Sequence, residues 1–157
     1  MLQRPRNARE FEDLAADFTW DLPQRYNIGV DVCDKWCHEP NRVALIHKPS
    51  AGEAVDYTFV EIRRLSNQAA NLLLSAGLTR GDRIAVLLPQ APETAIAHIA
   101  IYKIGAIAVP LFSLFGTEAL EYRLADSGAR AVITDLGGAA KIRSRSMICS
   151  TPFLLVP

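Results

Sequence analysis

Net charge is the first thing this 157-residue sequence lacks: seventeen Lys and Arg residues are offset by seventeen Asp and Glu. Without a basic or acidic surplus there is no electrostatic footprint for nucleic acid or an anionic membrane. Cysteine is scarce, and its three copies cannot pair off into a disulfide framework. Reduced thiols and a cytoplasmic location are therefore expected. The opening "MLQRPRNAREFEDLAADF" lacks the unbroken apolar core of a secretory signal. The most apolar stretch, "PQAPETAIAHIAIYKIGAIAVPLF" from Pro89 to Phe112, is bracketed by Pro92 and Pro110 and interrupted at Lys103-Ile104-Gly105. Each piece falls short of the roughly 20 consecutive apolar residues that a bilayer span needs, so no membrane span is expected. Neither G-x-x-x-x-G-K-[ST] nor G-x-G-x-x-G occurs, which removes the strongest phosphate signatures. No G-x-S-x-G surrounds Ser66, Ser113 or Ser127, so no nucleophile elbow is indicated.

What is present reads as one α/β unit. Half of the residues are hydrophobic and 22% are charged, which suits a folded core. Asn27 is placed to cap a helix, with Val30, Cys33, Trp36 and Cys37 at helical spacing. Residues 42–47 form a short apolar strand, and the turn-rich "KPSAGEAVD" joins it to a partner ending near Tyr57. Thr58 and Glu61 have capping-box spacing, and Ile62, Leu65, Ala69, Leu72, Leu73 and Ala76 predict an amphipathic helix. Gly77 sits at its stop, where Leu78 can fold back on the last turn. Continuous apolar strands are predicted at Ile84–Leu88, Ile107–Val109 and Ala131–Thr134. Between them lie a helix from Pro92 to Ile104 and a helix that Thr117 caps and Gly128 stops. Strand and helix in alternation predict a parallel sheet in a three-layer α/β/α arrangement. Residues 1–27 read as an irregular arm marked by Trp20 and Pro23, residues 28–143 as the folded unit, and residues 144–157 as a divergent tail. A last edge strand at Phe153–Val156 is compatible with that tail.

Ligands of an open parallel sheet bind beyond the carboxyl ends of its strands. Three loops qualify: "PQAPE" after Leu88, "PLFSLFG" after Val109 and "DLGG" after Thr134. Phe112 and Phe115 either stack on a ligand or pack their loop onto the next helix. Gly137-Gly138, followed by Lys141 and Arg143, either cradles a phosphate or forms a plain loop. Cys33, Cys37 and His38 lack the second pair that a structural zinc site needs, so the cysteines read as core. His98 reads as a satisfied core or interface histidine, and Asp82 as a turn residue. Composition and spacing go no further than an α/β domain with an unidentified ligand.

Two stretches add a resemblance. Tyr-Thr-Phe-x-Glu at Tyr57–Glu61 and "YKIGAIAVPL" at Tyr102–Leu111 resemble the first two core motifs of the AMP-forming acyl-CoA synthetases. The flanking "DLPQRYNIGVDVCDKW" and "LFGTEALEYRLADSGARAVITD" resemble the branch acting on acetate to medium-chain acids. The likeness runs over about residues 17–143, with several motifs in order, which is more specific than one motif alone. It implies the N-terminal part of a ligase that uses ATP and Mg2+ to activate a small carboxylic acid as an acyl-adenylate, then passes the acyl group to CoA. The α/β/α subdomain is then incomplete and expects the remainder of the ligase as its packing partner. The family's phosphate loop, Tyr-Gly-x-Thr-Glu motif, ribose-binding Asp and C-terminal Lys have no counterpart, so no catalytic residue is carried over. What carries over is a CoA-facing region: Phe112, Ser113, Leu114 and Phe115, with Lys141 and Arg143 as phosphate neighbours. "SRSMICSTPFLLVP" departs from the family pattern and suggests a truncated or frame-shifted product. The alternative is a CoA- or nucleotide-binding module without catalysis, or one half of a split enzyme.

Overall fold

The computed structural model describes residues 8–19 and 23–143, together with the backbone of residues 153–155. Trp20, Cys149 and most of the tail lie outside the described residues. Helix α1 covers Ala8–Ala16, so the arm is not wholly irregular. Its Ala, Glu, Arg and Leu residues are strong helix formers, and Phe11 and Leu14 remain exposed.

Asn27 caps α2, Ile28–Val32, by accepting the Val30 amide. The predicted single face then breaks at Cys33, and a 3-10 turn, Asp34–Trp36, follows. Val30 points to solvent, while Gly29 and Cys33 are buried. Gly29 has to be a glycine, because a Cβ there would lie 2.6 Å from Lys103 Cγ. That close approach seats α2 on a helix far along the chain. Strands β1, Val43–His47, and β2, Val55–Thr58, pair antiparallel as a separate hairpin.

Helix α3, Phe59–Ser75, opens with the full capping box between Thr58 and Glu61. It closes in a Schellman turn, with Gly77 at φ +80° and the Leu78 amide donating to the Leu73 carbonyl at 3.2 Å. Its buried residues are Ile62, Ser66, Ala70 and Leu73. Leu72 is half exposed, so the inward face is rotated relative to the predicted stripe. Strand β3, Arg83–Leu87, leads to α4, Pro92–Lys103, and then to β4, Ile107–Pro110. Pro110 belongs to the strand and ends it, which is tolerable because β4 is an edge. Helix α5 covers Thr117–Ser127, and strand β5 covers Ala131–Thr134. The N-cap of α5 is Gly116, so Thr117 is the first helical residue and not the cap. Helix α6, Leu136–Arg143, replaces the predicted Gly-Gly loop, and β6 covers Phe153–Leu155.

The four-stranded sheet has the order β4-β3-β5-β6, and every pairing is parallel. Its side chains alternate between two cores, as the pleat requires. Ile84, Val86 and Ile133 face Leu73, Ala100 and Ile101 of α3 and α4. Ala85, Leu87 and Val132 face Leu120, Leu124 and Ile142 of α5 and α6. The result is the expected three-layer α/β/α sandwich.

Asp82 ties the amino ends of the strands together. Its carboxylate accepts from Arg130 Nη1 at 2.8 Å and from the Thr79 amide at 2.7 Å. The Arg130 contact, followed by the Thr79 amide, holds the Asp82 pKa below its ordinary value. A lowered folded-state pKa stabilises above the unfolded value of about 4 and is lost as pH falls through the folded value. Asp82→Asn is therefore expected to lower the urea midpoint at pH 7, with the gap from wild type narrowing progressively below about pH 4. An equal gap at pH 7 and pH 3 would contradict this.

Candidate functional site

The three loops singled out in the sequence do converge. A cavity of about 180 Å3 at the carboxyl ends of β3, β4 and β5 is lined by Leu87, Pro89, Ser113, Asp135, Gly137, Gly138 and Lys141. Each wall is held from below. Thr94 Oγ1 donates to the Pro89 carbonyl at 2.7 Å, fixing the loop after β3 to the first turn of α4. The Leu111 amide donates to the Val86 carbonyl at 2.9 Å, so the loop after β4 leaves the sheet in register. Thr134 Oγ1 donates to the Leu87 carbonyl at 2.8 Å in the buried floor.

The loop after β4 turns on itself through the Phe115 amide and the Phe112 carbonyl, 3.0 Å apart. Phe115 points down into the α5–α6 core and lies under the Arg123 guanidinium, 4.2 Å from its ring centroid. Phe112 meets Phe115 edge-on at 5.9 Å but is 56% exposed, and Leu114 is 77% exposed. The two aromatics thus divide between the readings set out above: Phe115 packs, and Phe112 is presented to solvent. Lys141 Nζ crosses the cavity and donates to the Ser113 carbonyl at 2.6 Å, joining positions 28 residues apart. Arg143 is exposed and does not line the cavity. Residues two apart on a helix do not share a face.

The Gly pair is a correction. Gly137 and Gly138 lie inside α6, and the Gly138 amide donates to Asp135 Oδ1 at 2.7 Å. A Cβ on Gly138 would lie 2.0 Å from Thr134 Oγ1. The second glycine therefore lets α6 sit down on β5, and the amide that a cradle would use is already taken by Asp135. Asp135 was missed in the sequence, although an Asp preceding a helix by one residue is the usual sign of a cap.

The other candidates resolve into structural roles. Cys33 is buried, and burial pushes its thiol up to about 11, so it stays protonated and unreactive at neutral pH. Cys33 and Cys37 both point at the Phe59 carbonyl. Among the described residues no group of three His, Cys, Asp or Glu could hold a metal. His98 Nδ1 pairs with the Thr94 carbonyl at 2.7 Å within α4. Lys103 is a hub that the sequence did not reveal. Its ammonium pairs with Asp34 at 2.7 Å and with Asn67 at 2.7 Å, while its carbonyl accepts from Asn27 at 2.9 Å. It binds α2, the 3-10 turn and α3 to the end of α4. A larger cleft of about 800 Å3 lies near the end of α4, between residues 23–28 and Arg80. It sits at the amino ends of the strands, away from the three converging loops. No helix among the described residues is long and apolar enough to cross a membrane.

Comparison with known proteins adds the following. The sequence profile of the AMP-binding enzyme family matches residues 33–152. The chain is 32% identical over 138 residues to a mitochondrial acyl-coenzyme A synthetase of Mus musculus, covering 83% of this chain and 24% of that protein. It is 38% identical over 124 residues to an acetyl-coenzyme A synthetase of Gemmatimonas aurantiaca, covering 78% of this chain and 19% of that protein. The crystal structure of a Brucella canis acyl-CoA synthetase superposes with a TM-score of 0.83 at 32% identity, over 94% of this chain and 29% of that one. An anthranilate CoA ligase in complex with anthranoyl-AMP gives a TM-score of 0.72 at 26% identity, over 87% of this chain and 26% of that one. The chain spans a quarter or less of the length of the curated relatives named here.

Proposed function

The chain belongs to the AMP-binding enzyme family, and from that premise we propose that it forms the N-terminal, coenzyme-facing part of an AMP-forming acid–CoA ligase. In that reading residues 28–143 are the folded unit, 1–27 an arm and 144–157 a tail, and the location is cytoplasmic. The substrate class is a small or medium-chain carboxylic acid, and the remainder of a family-length ligase covers the surfaces left open here. The observation that carries the reading is the exposed Phe112 ring beside a cavity at the carboxyl ends of three parallel strands.

The donor set fits part of CoA. The cavity is smaller than the roughly 300–1,000 Å3 of a whole-ligand pocket, so it suits one ring or one small group. Phe112 is more than half exposed and is an aromatic on which a base can stack. Arg143, at the exposed end of α6, supplies positive charge for a phosphate, while Lys141 is engaged with the Ser113 carbonyl. When bound, CoA supplies the thiol that accepts the acyl group. The role of these residues is to bind and orient the nucleotide end, remote from the reacting atoms, so that binding energy there positions the thiol. The residues of this chain do not fit ATP and Mg2+ in the same way. None matches the phosphate loop or the adenylation lysine that the family likeness implies, and no step is derived through either group.

Calorimetry with CoA tests the reading. The 157-residue chain is expected to bind CoA weakly, and Phe112→Ala to weaken that binding by about 5-fold or more, in line with about 1–3 kcal/mol for one base stacked on an aromatic ring. Equal affinity for wild type and Phe112→Ala would remove Phe112 from the site.

A further inference from the structure

We infer that Lys141 is a positioning residue for the Phe112–Phe115 loop, and that its ammonium acts on the loop backbone and not on a ligand phosphate. The inference rests on the coenzyme-facing reading of that loop, but it has its own observations. The loop is anchored at its start, where the Leu111 amide meets the Val86 carbonyl, and at its end, where the Gly116 carbonyl accepts the Leu120 amide. Between these points the Lys141 ammonium reaches the Ser113 carbonyl from across the cavity at 2.6 Å. Ser113 is flanked by the two most exposed side chains of the loop, Phe112 and Leu114. A charged donor on a backbone carbonyl is stronger than a neutral hydrogen bond. Here it fixes the peptide whose orientation sets where both side chains point.

The base of that clamp is rigid. α6 is pinned to β5 by the Asp135–Gly138 cap and by the contact between Gly138 and Thr134, which leaves no room for a Cβ. The four-carbon stem of Lys141 therefore starts from a fixed point on the sheet. Order in β5 passes through α6 and Lys141 to the loop after β4, although β4 and β5 do not pair directly. A ligand that stacks on Phe112 then meets a loop already held in place, and less ordering entropy is lost on binding.

The test uses the full 157-residue chain as wild type, Lys141→Met and Lys141→Arg. Lys141→Met keeps an apolar stem without the donor, and Lys141→Arg restores a cationic donor. Without ligand, native-state chymotrypsin cleavage after Phe112, Leu114 and Phe115 is followed by mass spectrometry. Cleavage in the loop should rise by about 10-fold or more in Lys141→Met, as expected when a charged hydrogen bond closes the loop. Cleavage after the core residue Leu87 needs global unfolding; it should stay far below loop cleavage and rise by no more than the same factor, with a matching small fall in the urea midpoint, and Lys141→Arg should return loop cleavage to within about 3-fold of wild type. Unchanged loop cleavage in Lys141→Met, or loop cleavage that Lys141→Arg leaves at the Lys141→Met level, overturns the inference. A second readout separates positioning from phosphate contact. Lys141→Met should weaken CoA and adenosine, which keeps the base and carries no phosphate, by the same factor. Loss confined to CoA would make Lys141 a phosphate ligand and overturn the inference. Should wild type bind neither compound, the coenzyme-facing reading fails, while the cleavage comparison still decides whether Lys141 clamps the loop.

Discussion

Incubated with ATP, Mg2+ and acetate, butyrate or octanoate, the purified 157-residue chain is expected to release no pyrophosphate above an acid-free control. Adenylation requires the ATP phosphates to be held in line with the attacking carboxylate and their developing charge to be neutralised. Among these residues there is no Gly-rich phosphate loop. The one glycine pair in a suitable place has turned out to be helical, with the Gly138 amide already bonded to Asp135. Lys141, the cation nearest the cavity on that helix, is engaged with the Ser113 carbonyl. Removing one preorganised stabilising donor costs on the order of 10^2–10^3 in rate. With the whole set absent, the expected loss leaves nothing to measure. Acid-dependent pyrophosphate release that co-purifies with the chain and persists in a host lacking its own synthetases would overturn the expectation. It would place the phosphate-handling groups elsewhere in the chain, with Lys103 and Arg80, which border the larger cleft, the first to be replaced.

The parts of the fold that were legible are those with a local cause. Thr58 and Glu61 satisfy each other across one turn, and Gly77 and Gly105 adopt the positive φ of helix stops. Pairs such as these act over four or five residues, so spacing alone reveals them. The buried strands were legible because β3 and β5 are covered on both faces and read as continuous apolar runs. What was not legible depends on partners distant in the chain. Ser66 and Ala70 are buried in α3 in place of Leu72 because α3 packs against α4, and small side chains on that face let the two helices approach closely. Lys103 reads as an interruption in an apolar run until Asp34 and Asn67, from elsewhere in the chain, are seen to surround it. The Lys141–Ser113 contact spans 28 residues and leaves no trace in either local pattern. Helix α6 was missed because two adjacent glycines have poor helix propensity. The Asp135 cap and the close seat on Thr134 override that local preference.

That override can be measured, because the two glycines of α6 should respond with opposite signs. Gly137 has ordinary space around it: an added Cβ would approach nothing nearer than Asp135 Oδ1 at 3.5 Å. Its backbone is helical, so Gly137→Ala should stabilise by about 0.4–1 kcal/mol through reduced freedom of the unfolded chain. Gly138 faces the floor. An added Cβ would lie 2.0 Å from Thr134 Oγ1 and 3.1 Å from Leu87 Cδ2. Thr134 is fully buried, and its hydroxyl donates to the Leu87 carbonyl. Rotating it away leaves a buried hydroxyl unpaired, at about 1–3 kcal/mol, and lifting α6 off the sheet costs a similar amount. The gain in helix propensity, about 1 kcal/mol, recovers only part of this. Gly138→Ala is therefore expected to destabilise by about 2 kcal/mol, lowering Tm by about 4–8 °C in a domain of this size. Scanning calorimetry on the two single variants provides the comparison. A Gly138→Ala variant as stable as wild type would show that α6 does not sit on β5 as described. The cavity wall formed by Asp135, Gly138 and Lys141 would then have to be rebuilt.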